Sequence, residues 1–182
     1  MLSVAIGIYT FYILLRVYVS VMQIGYLSQA KKGDNVLLSP AEFVKAGNYA
    51  ISKERLNILA VFIELALFLV WIDMGIAWFD SLFLSLSPTW HMILFVLGFV
   101  RINGVVSMPL EIYQKFVLDE EYGFNKSTVG LYIKDTIIST IMTIIIGGLV
   151  IWGVGSIIQS AAMWWLYSFL FIFGVIVLIN MF

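Results

Sequence analysis

The sequence predicts an all-α, polytopic membrane protein with five transmembrane helices and two structured cytoplasmic loops. Three observations lead to this fold class. The mean hydropathy is +1.03 and only 12% of the residues are charged, whereas soluble domains are about one quarter charged. Apolar runs of roughly 20 residues, long enough to cross a bilayer, recur along the chain. The N-terminal run lacks the positively charged start of a cleaved signal peptide and is therefore predicted to be a retained helix.

Composition also excludes several classes of function. The net charge of −1 argues against a nucleic-acid partner, because phosphate binding requires a basic surface. The absence of cysteine rules out disulfides and thiolate metal sites. One histidine, His91, is too few for a His-based zinc site within these residues. The lipid bilayer is the partner that the composition predicts.

The spans follow from the positions of the apolar runs. The third span is entered through Pro88, which suits a helix start. Residues 136–182 contain no charge, and as one helix they would measure about 70 Å, more than twice a bilayer core. This tail is therefore predicted to fold back once, at Gly153–Ser156 and the polar Gln159 and Ser160, because a break at Gly147 and Gly148 would leave the fourth span too short to cross. The five predicted spans are about 2–27, 56–79, 90–110, 136–152 and 161–182.

Basic residues predict the orientation. The first loop (residues 28–55) carries five Lys or Arg residues, and the second loop (residues 111–135) carries three. The connections near 80–89 and 153–160 carry none. By the positive-inside rule, both loops are cytoplasmic, the N-terminus lies outside and the C-terminus lies in the cytoplasm.

The first loop contains a helix start. Ser39-Pro40-Ala41-Glu42 has the pattern of a capping box with proline at the first helical position. Apolar residues then repeat at intervals of three and four, which predicts a short amphipathic helix on the membrane surface. A turn is predicted before it, at Lys31–Asn35.

The second loop contains a helix end and a further helix start. Pro109 is predicted to end or kink the third span. Gly123 supplies a turn conformation that other residues resist. Ser127 or Thr128 is predicted to cap the helix that leads into the fourth span.

The second loop also carries a recognisable motif. The segment PLEIYQKFVLDEEYGFNKSTVGLYIKD (109–135) closely resembles the corresponding loop of type I CAAX prenyl endopeptidases, which are membrane zinc metalloproteases. Asp119 stands where that family usually has Glu. The segment EFVKAGNYAISKERLN (42–57) is similar to the family's Phe…Tyr…Lys segment before its second span. The matching motif residues are Pro109, Tyr113, Phe116, Val117, Glu120, Gly123, Phe124, Asn125 and Thr128.

The resemblance covers the family's N-terminal membrane domain and not its catalytic helix. The family's zinc site requires an HExxH helix, in which two histidines bind zinc and the glutamate activates water. The 182 residues contain no His-Glu pair. The chain by itself is therefore expected to hold no cofactor and no catalytic residue, and zinc is expected in the intact protein. The resemblance implies that this domain walls a membrane chamber and docks the zinc-protease domain.

Five charged residues lie within or at the ends of predicted spans, where charge is costly in lipid. Two interpretations remain open for them. They line a hydrated chamber, or they form interhelical ion pairs that fix helix packing, such as Glu64 with Arg101 or Arg16. The five residues are Arg16, Glu64, Asp73, Arg101 and Glu111. The carboxylates Asp119, Glu120 and Glu121 are predicted to form a solvated or docking surface without catalysis, and His91 is predicted to be an interfacial anchor.

The sequence is compatible with three functions. The first is the non-catalytic membrane domain of a CAAX-type zinc endopeptidase, which in its intact form cleaves membrane-associated or prenylated peptides. A bacterial inner-membrane location is expected, with a role in membrane-protein quality control. The alternatives are a small transporter or channel subunit lined by the charged residues of the spans, and a membrane scaffold that binds a partner through its loops.

Overall fold

The computed structural model describes residues 2–31 and 39–181, and these two ranges form five long helices. All five are long and apolar enough to cross a membrane, which confirms the predicted fold class. The helices, labelled in chain order, are α1 Leu2–Ala30, α2 Pro40–Ser81, α3 Pro88–Glu121, α4 Val129–Ser160 and α5 Trp164–Met181.

The apolar side chains of these helices largely point outward. Fewer than one fifth of the residues in the most apolar window of each helix are buried. On α5, Phe169, Leu170 and Phe173 are all more than half exposed. Soluble proteins rarely expose continuous apolar surface of this extent. The solvent that suits these faces is lipid, and the chain is an integral membrane protein.

One compact unit comprises the described residues of 1–76 and 103–126. In it, α1 and α2 pack as an antiparallel hairpin, because contacting residues run in opposite order along the two helices. Ile13 and Val61, at 1% and 0% exposure, are the most buried described residues of these two helices. The contacting pairs are Lys31–Asn48, Ser20–Asn57, Arg16–Glu64 and Tyr9–Phe68.

The second compact unit comprises the described residues of 77–102 and 127–182. Its helices approach closely where one of them has a glycine. A Cβ atom at Gly153 would lie 2.5 Å from the ring of Phe171 on α5, and one at Gly98 would lie 2.5 Å from the ring of Phe79. Small residues allow membrane helices to pack at short distance, since lipid supplies no hydrophobic force between them.

The structure corrects the prediction for the first loop. The helix that begins at Pro40 is not a short surface helix, because it continues without interruption as α2 to Ser81. No glycine or proline interrupts the segment 51–55, and its Lys, Glu and Arg residues favour helix. The predicted capping box is confirmed: the Ser39 hydroxyl accepts from the Glu42 amide, and the Glu42 carboxylate accepts from the Ser39 amide. Of the predicted turn at Lys31–Asn35, only Lys31 is described, and it lies in a turn.

The fold-back of the uncharged tail also differs from the prediction. Gly153–Ser156 do not break the helix, since α4 continues to Ser160. The chain turns at 161–163 instead, directly after the polar Gln159 and Ser160. Gly153 allows close packing against Phe171, so this glycine has a packing function and does not mark a break.

Pro109 does not end the third helix. The helix passes through Pro109 to Tyr113, continues as a π-helical turn at Gln114–Leu118 and ends at Glu121. Proline inside a membrane helix is tolerated because neighbouring groups satisfy the freed carbonyl. Most of the predicted second loop is therefore helical, and the non-helical segment is confined to 122–128.

Candidate functional site

The candidate site is the charged turn (Asp119–Asn125) that ends α3. Its backbone forms a Schellman motif, in which the Gly123 and Phe124 amides donate to the carbonyls of Glu120 and Asp119, at 3.0 and 2.7 Å. Gly123 has a φ of 75°, as its place in this motif requires, and this confirms the predicted glycine turn. The Asn125 side-chain amide donates to Glu120 Oε2 at 2.8 Å. Four of the motif residues, Glu120, Gly123, Phe124 and Asn125, thus build a single turn.

Tyr49 on α2 holds the charged turn in place. Its hydroxyl donates to Asp119 Oδ1 at 2.8 Å. Its ring contacts those of Tyr122 and Phe124, with centroids 5.3 and 4.6 Å apart, and the Lys53 ammonium lies 5.5 Å from the Tyr49 ring centroid. Burial raises the pKa of Tyr49, and the hydrogen bond to Asp119 raises this pKa further.

The structure adds a contact at Asp119 and a role for Tyr49 that the sequence did not predict. The sequence predicts a solvated or docking surface that includes Asp119, and the structure adds that its carboxylate accepts a hydrogen bond from Tyr49. Tyr49 had no predicted role, although it lies in the 42–57 segment that carries the family resemblance. That resemblance was the only signal for Tyr49, because 70 residues separate it from Asp119.

The remaining motif residues lie on either side of the turn. Pro109 and Tyr113 line a pocket on the preceding part of α3. Phe116 is half-buried on the π-helical turn. Thr128 caps α4, with its hydroxyl accepting from the Leu131 amide at 3.2 Å, which decides between the two predicted capping residues.

A polar cluster joins α1 and α2 within their apolar stretches. Arg16 Nη1 lies 2.5 Å from Glu64 Oε2, which is one of the ion pairs that the sequence suggested. A second Arg16 nitrogen donates to Asn57 Oδ1 at 3.5 Å, and the Asn57 amide donates to the buried Ser20 hydroxyl at 3.1 Å. The sequence analysis did not single out Asn57 and Ser20, although each is a polar residue within an apolar run. The cluster supports the ion-pairing interpretation for Arg16 and Glu64.

The other three charged residues of the predicted spans are all exposed. Arg101 donates to the Thr140 hydroxyl within the second unit. Asp73 lines a groove of about 440 Å³ with Leu2 and Ile6. Glu111 forms no ion pair or hydrogen bond with any described residue. A polar chamber lining remains a proposal for these three residues.

His91 lies at the start of α3 with a carboxylate partner. Its Nε2 is 2.7 Å from Asp80 Oδ1, and the rings of Phe83 and Phe95 lie beside it. This pair links the two ends of the short connection between α2 and α3. Sequence analysis did not predict Asp80 as the partner.

The described residues do not fit a zinc site. Among 2–31 and 39–181, no group of three or more His, Cys, Asp or Glu side chains lies close enough to hold a metal ion. Three protein ligands are the usual minimum for a catalytic zinc.

Five apolar helices and a structured polar turn at the end of α3 define the class: a helical domain of an integral membrane protein. The family description "CAAX prenyl protease N-terminal, five membrane helices" matches residues 32–182. The chain belongs to this family, and the resemblance seen in the sequence is confirmed.

Two curated relatives and one solved structure agree with this assignment. The chain is 24% identical over 155 residues to "CAAX prenyl protease 1 homolog" of Arabidopsis thaliana, covering 78% of this chain and 37% of that protein. It is 32% identical over 146 residues to "CAAX prenyl protease 1" of Saccharomyces cerevisiae, covering 71% of this chain and 32% of that protein. The crystal structure of S. mikatae Ste24p superposes with a TM-score of 0.83 at 26% identity, covering 96% of this chain and 44% of that one. The chain thus spans less than half of each protein compared.

Proposed function

We propose that this chain is the non-catalytic membrane domain of an integral membrane zinc endopeptidase. In this proposal the helices wall a membrane chamber, and the charged turn docks the catalytic domain. Zinc and the residues that bind it belong to that other domain of the intact protein. The substrates are peptides or proteins at the membrane, prenylated chains among them.

The construction of the charged turn is the observation that supports docking. A solvated loop requires no defined geometry, but this turn has a Schellman motif, an internal Glu120–Asn125 bond and an anchor in Tyr49. Its outer surface combines the exposed Glu120 carboxylate with the Phe124 ring, which is 54% exposed. A rigid polar and aromatic surface is typical of a protein contact.

The chamber proposal rests on the charged side chains of the helices. Arg101, Asp73 and Glu111 are exposed on helices whose apolar stretches are long enough to cross a membrane. Charge at such positions usually faces water or a protein cavity. A transport path gains no comparable support, because Arg16 is already neutralised by Glu64.

The proposal includes an orientation and a location. The N-terminus lies outside and the C-terminus in the cytoplasm, which places the charged turn on the side where lysine and arginine accumulate. The proposed location is a bacterial inner membrane. Because prenylated proteins are largely eukaryotic, the substrates proposed for that location are other membrane proteins, and the proposed role is their quality control.

Docking is tested by Glu120→Ala, Asn125→Ala and the double variant in the full-length protein. Each single variant is expected to lower kcat/KM for peptide cleavage about tenfold, since losing a buried hydrogen-bond partner costs about 1–3 kcal/mol. Zinc content and membrane insertion should be unchanged. Lys126→Ala removes an exposed neighbour of the turn and serves as the matched control.

The double variant separates docking from a purely local role. If each side chain contacts the catalytic domain, the double variant loses more activity than either single variant. If the two residues only bond to each other, the double variant equals the singles. Full activity in all three variants would show that the turn is ordinary solvated surface.

A further inference from the structure

A pocket of about 520 Å³ lies in the first unit between α2 and α3. This volume is within the range of about 300–1,000 Å³ usual for small-molecule sites. Its apolar wall includes Leu56, Leu110 and Leu118, of which Leu118 is only 5% exposed. Its polar lining includes Arg55, Tyr113 and Glu121. An apolar wall beside a charged lining suits an amphipathic ligand.

The two charged residues that line the pocket have no partner among the described residues. Arg55 and Glu121 are both exposed, and neither forms a hydrogen bond or ion pair with any residue of the described ranges. The hydroxyls of Ser52 and Tyr113, which also line the pocket, have no described partner either. One cation, one anion and two hydroxyl groups thus line the pocket together with its leucines.

The pocket also lies where the predicted membrane spans end. Arg55 directly precedes the predicted second span, which begins at Leu56, and Leu110 is the last residue of the predicted third span. Lipid phosphates lie at this depth, and pockets between helices at the cytoplasmic surface are suited to head groups. The leucine wall then faces the level of the acyl chains.

We propose that this pocket binds one molecule of phosphatidylethanolamine. The Arg55 guanidinium binds the phosphate, assisted by the hydroxyls of Ser52 and Tyr113. The primary ammonium of the head group donates to the Glu121 carboxylate, and an acyl chain lies along Leu56 and Leu118. Glu121 disfavours phosphatidylglycerol, because its anionic head group lacks an ammonium. This inference does not depend on the proposed protease function.

Native mass spectrometry of the full-length protein tests the site. The purified protein is delipidated and then exposed to equal amounts of phosphatidylethanolamine, phosphatidylcholine and phosphatidylglycerol. One phosphatidylethanolamine per chain is expected to be retained. Phosphatidylcholine should bind more weakly, because its quaternary ammonium cannot donate a hydrogen bond. Phosphatidylglycerol should bind most weakly.

Two variants and one control identify the residues responsible. Arg55→Gln should weaken phosphatidylethanolamine retention at least about tenfold, as expected for a lost charge-assisted hydrogen bond. Glu121→Gln should raise phosphatidylglycerol retention to that of phosphatidylethanolamine. Lys126→Gln, which removes an exposed cation outside the pocket, should change neither.

Because Glu121→Gln changes the lipid preference without abolishing binding, misfolding cannot produce the expected result. The proposal is overturned if the wild-type protein retains phosphatidylglycerol as well as phosphatidylethanolamine. It is also overturned if Arg55→Gln retains phosphatidylethanolamine normally. Retention of no lipid, as expected if a protein segment fills the pocket, would overturn it equally.

Discussion

Gly123 sets the backbone of the charged turn through a single dihedral angle. Its φ of 75° is costly for residues with a Cβ. Gly123→Ala is therefore expected to destabilise the turn by about 1–2 kcal/mol. Hydrogen exchange at the amides of Phe124 and Asn125, which donate to Asp119, measures this effect.

Gly130 provides the matched control for Gly123→Ala. It lies in the first turns of α4, and a Cβ there would meet nothing within 4 Å. Gly130→Ala should be neutral or stabilising by about 0.5–1 kcal/mol, because alanine favours helix. Equal exchange rates for both variants and the wild-type protein would contradict the role assigned to Gly123.

Tyr49 is the residue on which the position of the turn depends. Tyr49→Phe keeps the ring contacts but removes the hydrogen bond to Asp119. The expected loss of stability is about 1 kcal/mol, at the low end for a charged acceptor because both residues are half-exposed. Tyr122→Phe is the control, since the Tyr122 hydroxyl has no partner among the described residues. Thermal unfolding in detergent should show a lower Tm for Tyr49→Phe only.

The raised pKa of Tyr49 gives this contribution a pH dependence. The native state holds the phenol proton more tightly than the unfolded state, whose pKa lies near the ordinary 10.0. The stability from Tyr49 is therefore fully present below pH 10 and is lost as the pH rises through the raised folded value. The stability difference between the wild-type protein and Tyr49→Phe should shrink above pH 10. A constant difference up to pH 11 would show that the phenol does not titrate differently on unfolding.

The helices α2 and α3 are longer than a membrane requires. With 42 and 34 residues, they would measure about 63 and 51 Å, against a hydrocarbon core of about 30 Å. Each helix must therefore extend well beyond the apolar region, and Tyr49 and the charged turn belong to these extensions. The site is built on rigid helix ends. Helix ends hold side chains in a more precisely defined position than flexible loops do.

The contact between α4 and α5 depends on a glycine. Gly153→Ala would place a Cβ 2.5 Å from Phe171 Cζ and is expected to destabilise the second unit by about 1–3 kcal/mol, as overpacking does. Gly174→Ala on α5 is the control, since nothing lies within 4 Å of its Cβ position. Thermal unfolding should separate the two variants. Adding Phe171→Leu to Gly153→Ala should restore part of the lost stability. A Tm for Gly153→Ala equal to that of the wild-type protein would refute the close contact.

At the scale of the whole molecule, the orientation in the membrane can be tested directly, because the sequence has no native cysteine. A cysteine replacing the exposed Lys45 should resist an impermeant thiol reagent added outside sealed cells and react after lysis. A cysteine replacing the exposed Ser85, in the connection between α2 and α3, should react from outside. The reverse labelling pattern would invert the proposed topology and remove the charged turn from the cytoplasm.

The sequence by itself determined the features that depend on local chemistry. Hydropathy predicted five apolar helices, because insertion into lipid depends on the composition of each segment. The capping box at Ser39 and the left-handed glycine at Gly123 were also predictable, since their hydrogen bonds close within a few residues. The family motif lies in the loop where the structure has the charged turn.

Only the tertiary structure decided the partners that lie far apart in the chain. Glu64 had two possible partners in the sequence, Arg101 and Arg16, and the packing of α1 against α2 selected Arg16. The Tyr49–Asp119 bond joins residues 70 positions apart. The turn at 161–163 could not be distinguished from one at Gly153, because a glycine that breaks a helix and one that admits Phe171 look the same in sequence. Such choices depend on which helix faces meet, and no local pattern encodes that.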